Sequence, residues 1–429
     1  MTQVNTRVRT PDRPCADGLG QSAIRVNRRA APREIAFWLA ACVFAAVILG
    51  TAMPSPLYAI YQRQWHFSSA VLTSIFAVYA AAVLATLLLA GQSSDQAGRK
   101  PVMATALGFS AASTVVFILA SSPGWLYPAR ILSGISAGLM TGAATAALTE
   151  MTRESGAQRA SLAAAAVNTG AAALGPLMAG LFAQYLPQRT VTVFEVYLGL
   201  LAAAALTLAF IPETVTRRER LRLRFTGLAI PADGRREFIG AGVAAFAAFA
   251  VNGLFASLAP DFTTAMLHRP NYAVAGAVTC LFFAAGTVAT VRLGRFNSRP
   301  VLLAGLGLSL PGLALIVAAI SAASLALFLT ATAVTGVAYG ALAIGSLSTA
   351  NRLAPPETRA QAISTYFLFA YTGLAIPVIG VGVAADHVGD FRAVLGCSIV
   401  LALLFVLAAA GIAGGGRRAV RPRVRMGTR

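Results

Sequence analysis

Charge is what this sequence has least of. Asp, Glu, Lys and Arg make up 11% of its 429 residues, under half of the roughly 25% typical of soluble domains. With 57% of the residues apolar, water cannot be the solvent for most of the chain. The four cysteines, Cys15, Cys42, Cys280 and Cys397, are scattered without a CxxC spacing, so neither a disulfide framework nor a thiolate zinc site is expected. His66, His268 and His387 are as widely separated, which leaves no imidazole cluster to bind a metal. No Walker loop, His-Glu-x-x-His or Ser-His-Asp arrangement occurs. Their absence argues against an ATP-driven pump or a membrane protease, and neither an enzymatic activity nor a cofactor is expected. Acid is scarcer still than base, 15 residues against 34. In a soluble protein that excess would suggest nucleic acid, but no aromatic platform or nucleic-acid-binding motif accompanies these arginines.

In place of charge there are long apolar runs, near 35–60, 68–91, 101–121, 124–151, 159–186, 191–211, 237–260, 271–293, 300–320, 324–350, 360–384 and 391–413. Each is long enough to cross roughly 30 Å of hydrocarbon, and almost none has the polar face of a water-exposed helix. The pattern predicts an all-α membrane protein with twelve transmembrane helices.

The basic residues orient it. All but five of the 34 lie on the two tails and the even-numbered connections; the exceptions are Arg63, Arg189, Arg269 and Arg392 on odd-numbered connections and Arg130 inside a run. The positive-inside rule then puts both termini and the middle connection in the cytoplasm of a multi-pass cell-membrane protein. Residues 1–34 form a basic, Pro-containing tail expected to be disordered. A six-helix bundle over 35–211, a charged central loop over 212–236, a second bundle over 237–413 and a basic tail over 414–429 complete the organisation. The halves echo each other at an offset of 199, where the stretch from Arg99 to Gly108 aligns with that from Ser298 to Gly307; Gly134 and Gly138 find counterparts in Gly336 and Gly340. Two such pseudo-symmetric bundles rocking about a midplane site are a design of secondary transporters.

Between the second and third runs the chain reads Gly91-Gln-Ser-Ser-Asp95-Gln-Ala-Gly98-Arg99-Lys100-Pro-Val. This tight charged turn resembles the signature loop of the major facilitator superfamily. The resemblance implies a cytoplasmic gate built from Gly91, Asp95, Gly98, Arg99 and Lys100 that holds the two halves together when the opposite side is open. Glu150, at the cytoplasmic end of the fourth run, is the expected partner of Arg99. The second-half loop keeps Arg299 and Pro300 but has no acid, so the gate is expected to be asymmetric. Arg130-Ile-Leu-Ser-Gly134-Ile-Ser-Ala-Gly138 is similar to the family's Arg-x-x-x-Gly pattern in the fourth span. Gly170-Ala-Ala-Ala-Leu-Gly175-Pro176-Leu-Met-Ala-Gly180 is similar to its Gly-Pro antiporter motif, with Ala179 and the spacing of Gly170 as departures.

Arg130 demands compensation, because a cation in hydrocarbon costs about 2.5–3.5 kcal/mol unless it is paired or faces a cavity. Gly134 and Gly138, with Gly175, Pro176 and Gly180, are expected to serve helix packing or hinging. The spans that line the family's cavity supply Ser55, Tyr58, Arg130, Ser133, Asn252 and Tyr339 as candidate contacts, with Asn168 reaching in from a neighbouring span. Glu195 and Asp261 are the acids closest to the hydrocarbon and are carried as proton-coupling candidates. The first run lacks a mid-membrane acid. These features fit a monomeric carrier for a small amphiphilic or hydrophobic solute, exporting it against protons. An uptake symporter or uniporter of the same fold, and a non-transporting membrane receptor or scaffold, are the alternatives.

Overall fold

The computed structural model describes residues 32–91, 93–152, 157–215, 225–257 and 271–415. Among them every regular element is a helix. Twelve spans are long and apolar enough to cross a membrane, here numbered one to twelve: Arg33–Trp65, Ser69–Ala90, Arg99–Ile118, Pro123–Met151, Ala160–Tyr185, Thr192–Ala209, Arg235–Ser257, Tyr272–Leu293, Ser298–Ser321, Leu325–Leu353, Pro356–Val388 and Asp390–Ala413. At 1.5 Å per residue even the shortest, with 18 residues, covers about 27 Å. Helix is the structure these sequences must take in lipid, because it satisfies each backbone amide and carbonyl within one segment. Side-chain oxygens cap several starts: Ser68 accepts from the Val71 amide, Asn271 from Val274 and Ser324 from Leu327. Leu206, Leu403 and Leu407 are exposed on the outside of the bundle, where acyl chains are their solvent.

The first span departs from a single run ending near residue 60. Its α-helix stops at Ala52, a 3₁₀ turn covers Ser55–Leu57, and helix resumes over Tyr58–Trp65. Pro54 lacks an amide and Pro56 sits inside the turn, which breaks the hydrogen-bond ladder and leaves carbonyls of the last α-turn without helical donors. Arg235 and Arg236, read from sequence as loop, are the first residues of the seventh helix.

Within the first half the fourth span packs on the first, second and third; within the second half the tenth packs on the seventh, eighth and ninth. The paired glycines have matching roles. A Cβ would strike the backbone of the second span from Gly134 and the Thr86 side chain of that span from Gly138, and one on Gly336 or Gly340 the backbone of the eighth. The halves meet through two pairs of spans, the second with the eleventh and the fifth with the eighth. One face of the bundle carries the even-numbered connections and is called the basic face below.

Candidate transport cavity and its two gates

A cavity of about 260 Å³ lies between the halves. It follows the fourth span from Arg130 to Thr145, fifteen residues or about 22 Å of helix, and reaches Ser161 and Leu347 near the basic face. Its wall is mostly apolar and rich in aromatic rings, Phe76, Tyr79, Phe249, Tyr339, Phe367 and Tyr371 among them, with Thr, Ser and Asn side chains toward the basic face. Phe249 lies edge-on to Tyr339 and Tyr371, each at 5.9 Å between centroids. Asn252 donates from Nδ2 to the Tyr339 hydroxyl at 3.3 Å. No carboxylate is on the wall among the described residues.

Arg130 closes the end of the cavity away from the basic face. It is 1% exposed, and Gly134 and Gly138, which follow it, bring its helix close to the second span. Its Nη1 donates to the Thr51 carbonyl at 2.8 Å, in the last turn before the Pro54 break. The guanidinium carbon sits 4.1 Å from the centroid of the Tyr79 ring and 5.5 Å from that of Phe76. A charge-assisted hydrogen bond and a desolvated cation–π contact each stabilise the cation by about 2 kcal/mol, comparable with its cost of burial. Nε remains buried with no acceptor among the described residues.

Beyond Arg130 the halves close on each other through two related contacts. The Asp386 carboxylate, at the end of the eleventh span, accepts from the Ser69 and Ala70 amides at the start of the second, both at 3.1 Å. Gln184, at the end of the fifth span, accepts from the Tyr272 amide at the start of the eighth at 3.0 Å. Both place a side-chain oxygen on unsatisfied amides at a helix N-terminus, where the dipole favours it. Below Gln184 the fifth and eighth spans touch backbone to backbone, since a Cβ on Gly180 or Gly276 would meet the opposing chain. Gly175 faces the first span instead, against Leu49 and Met53.

At the basic face Arg99 is 8% exposed and gathers the charged residues of the second connection. Its Nη1 lies 2.5 Å from Asp95 and donates to Ser94 at 2.6 Å; its Nη2 lies 2.7 Å from Glu150. Thr214 donates to the same Glu150 carboxylate at 2.5 Å. Glu213 accepts from the Arg99 and Lys100 amides at 2.8 and 3.1 Å, capping the third span. Lys100 returns the favour by donating to the Ala209 and Ile211 carbonyls at the end of the sixth. Gly98 makes this possible: its φ of 97° is open to glycine, and a Cβ there would meet the Glu213 carboxylate. Gly91 ends the second span and is exposed. Every one of these groups belongs to the first half or to the start of the central loop, and none to the second half, so in this conformation the cluster does not tie the halves together.

A matching family model, described as Major Facilitator Superfamily, covers residues 40–294. The chain belongs to the Major Facilitator Superfamily. Its transporter fold is shared with a POT family transporter solved with 5-aminolevulinic acid, at a TM-score of 0.72 and 13% identity over 90% of this chain and 97% of that one. A bacterial homologue of the human lysosomal transporter Spinster, inward-facing and unoccupied, superposes at 0.68 with 15% identity over 89% and 98%. The multidrug transporter MdfA of Edwardsiella ictaluri is 31% identical over 210 residues. That match covers 48% of this chain and 51% of the relative, so the chain spans about half the length of the curated relative.

On this major facilitator scaffold the structure places Arg130, Asn168, Asn252 and Tyr339 together on the cavity wall. Ser55, Tyr58 and Ser133 are buried but do not line it. Membership of a lining span is not enough, since the break at Pro54 and the pitch of the fourth helix turn these three into helix contacts. Glu195 is in the first turn of the sixth span and exposed; Asp261 lies outside the described residues. Sequence reasoning missed the wall residues Phe76, Phe249, Phe367 and Tyr371. It also missed Gln184 and Asp386, which sit 202 residues apart at equivalent ends of the two halves.

Proposed function

We propose that this protein is an alternating-access carrier that moves a small amphiphilic solute out of the cell in exchange for protons. The observation that carries the reading is the cavity between the halves, sealed beyond Arg130 by Asp386 and Gln184 and extending to the basic face. By the positive-inside rule that face is cytoplasmic, which makes the described state inward-open, ready to load from inside. A wall of aromatic and aliphatic side chains interspersed with hydroxyls and amides suits an amphiphilic cargo, an apolar body with a small polar part. The named role of the Edwardsiella relative as a multidrug transporter supports cargo of this kind. With no nucleotide-binding loop in the sequence, an ion gradient is the energy source this reading assigns.

The test is flux in proteoliposomes over a panel of amphiphilic compounds, with and without an imposed pH gradient. Gradient-stimulated movement of at least one compound is expected in the wild type. Asp95→Asn, which removes the exposed partner of Arg99, is expected to lower that flux at least tenfold while leaving expression and folding intact. A wild type that moves none of the panel under either condition would sink the carrier reading. Movement that is indifferent to the gradient would sink the exchange with protons alone.

A further inference from the structure

The carrier reading leaves the charge of the cargo open, and the chemistry around Arg130 decides it. We propose that the cargo is an organic anion whose acidic group binds the free edge of Arg130 while its apolar body lies against the aromatic wall. This deepens the carrier reading and rests on it.

Guanidinium offers five N–H donors in a planar fork. On Arg130 the Thr51 carbonyl holds Nη1 at 2.8 Å, and the guanidinium carbon lies over the Tyr79 and Phe76 rings at 4.1 and 5.5 Å. The edge that carries Nε is left, buried and without an acceptor among the described residues. That edge, Nε with Nη2, presents two parallel N–H groups whose spacing matches the oxygens of a carboxylate, sulfonate or phosphonate. A buried cation normally has an anionic partner, yet no acid is on the cavity wall among the described residues. The acids nearest the gates are spoken for elsewhere: Glu150 by Arg99 and Thr214, Asp386 by the amides of the second span.

The rest of the wall fits the same ligand. Phe76, Tyr79, Phe249 and Tyr371 surround an apolar body with ring faces and edges, and Asn252 and Asn168 add neutral polar contacts. At about 260 Å³ the space is small for a ligand pocket, suited to a cargo of one or two rings. A cationic cargo in this cavity would face Arg130 with no acid to separate them, and a neutral one would offer the Nε edge an uncharged acceptor at best, a weaker partner than an anion. The site thus favours the three charge classes in the order anion, then neutral, then cation.

Three probes of one shape test this order on the purified full-length protein in nanodiscs: 2-naphthoate, 2-naphthamide and 2-naphthylmethylammonium, by titration calorimetry. Naphthoate is expected to bind at least tenfold more tightly than the amide, with the ammonium weakest. Arg130→Gln is expected to remove the preference for naphthoate over the amide, and Arg130→Lys to restore part of it, since lysine keeps the charge but not the fork. Equal affinity of naphthoate and ammonium in the wild type would overturn the inference, as would no binding of naphthoate or an unchanged preference in Arg130→Gln. The comparison among probes needs no variant, so it decides the matter even where Arg130→Gln fails to fold. Downhill flux of the same probes in proteoliposomes separates the two readings. Naphthamide moving as well as naphthoate overturns the anion assignment and leaves a carrier; Arg130-dependent binding of naphthoate without flux of any probe supports the site and overturns the carrier.

Discussion

At the scale of single residues, the basic-face cluster depends on one backbone position. Gly98 has a φ of 97° and ψ of 153°, a region essentially confined to glycine. Its turn delivers the Arg99 and Lys100 amides to Glu213. Alanine there would be strained by about 1–3 kcal/mol and would push its methyl into the Glu213 carboxylate. Gly98→Ala should therefore lower the unfolding temperature of the purified protein, measured by tryptophan fluorescence in detergent. The loss should shrink when Glu213→Ala is added, because the double variant removes the clash but not the strain. Equal melting of Gly98→Ala and wild type would show that the turn relaxes to another geometry. Arg130 stands out in the sequence by the same elementary reasoning, as the one cation set more than two residues in from either end of a run, and its placement on the wall follows from the cost of burying it anywhere else.

At the scale of helices, the two halves reuse one set of contacts. Lys100 caps the end of the sixth span, and Arg299, its counterpart at an offset of 199, donates to the Ile412 and Ala413 carbonyls at the end of the twelfth. Gln184 and Asp386 repeat the same logic on the other face, but only Asp386 is charged. Much of this framework was legible in the sequence: the twelve spans, the internal repeat and the paired glycines are all carried by length, composition and short motifs. The aromatic wall was not. Lipid and a neighbouring helix are equally apolar, so a transmembrane helix shows no polar stripe to say which face turns inward; Phe249 on the wall and Phe210 on the exposed surface look alike in the chain. Gln184 and Asp386 were unreadable for a different reason, since each resembles any polar residue at a helix end until its partner 88 or more residues away is known. Asp386 is the stronger of the two locks, with a carboxylate spanning two amides. Asp386→Ala is expected to loosen the contact of the second and eleventh spans. Distances between spin labels at their ends on that face should lengthen in a larger fraction of molecules than in the wild type. An unchanged distance distribution would show that the glycine-mediated contacts alone hold this face shut.

At the scale of the whole molecule, the proposed transition would have to involve the central connection. Residues 225–231 of it run across the basic face between the halves. Thr226 donates from its amide and its hydroxyl to the Leu88 carbonyl at 3.1 and 3.3 Å, at the end of the second span. Three residues on, Ala229 exchanges hydrogen bonds with the Thr365 hydroxyl near the start of the eleventh, at 3.0 and 2.9 Å. The second and eleventh spans touch beyond Arg130 and are spanned by this strap at the basic face, so it occupies the gap that closure must eliminate. For the cavity to open on the other side, the two spans must approach here and the strap must leave. Fixing it in place should therefore stop transport without touching the cavity. In a background with Cys15, Cys42, Cys280 and Cys397 replaced, Thr226→Cys and Leu88→Cys joined by a short reducible thiol crosslinker are expected to cut flux at least tenfold. Reductant should restore the flux, and either cysteine alone should transport normally after the same treatment. If the crosslinked protein carried cargo at the uncrosslinked rate, the strap would have to ride with the second span through the whole cycle, and closure of the basic face would have to occur around it.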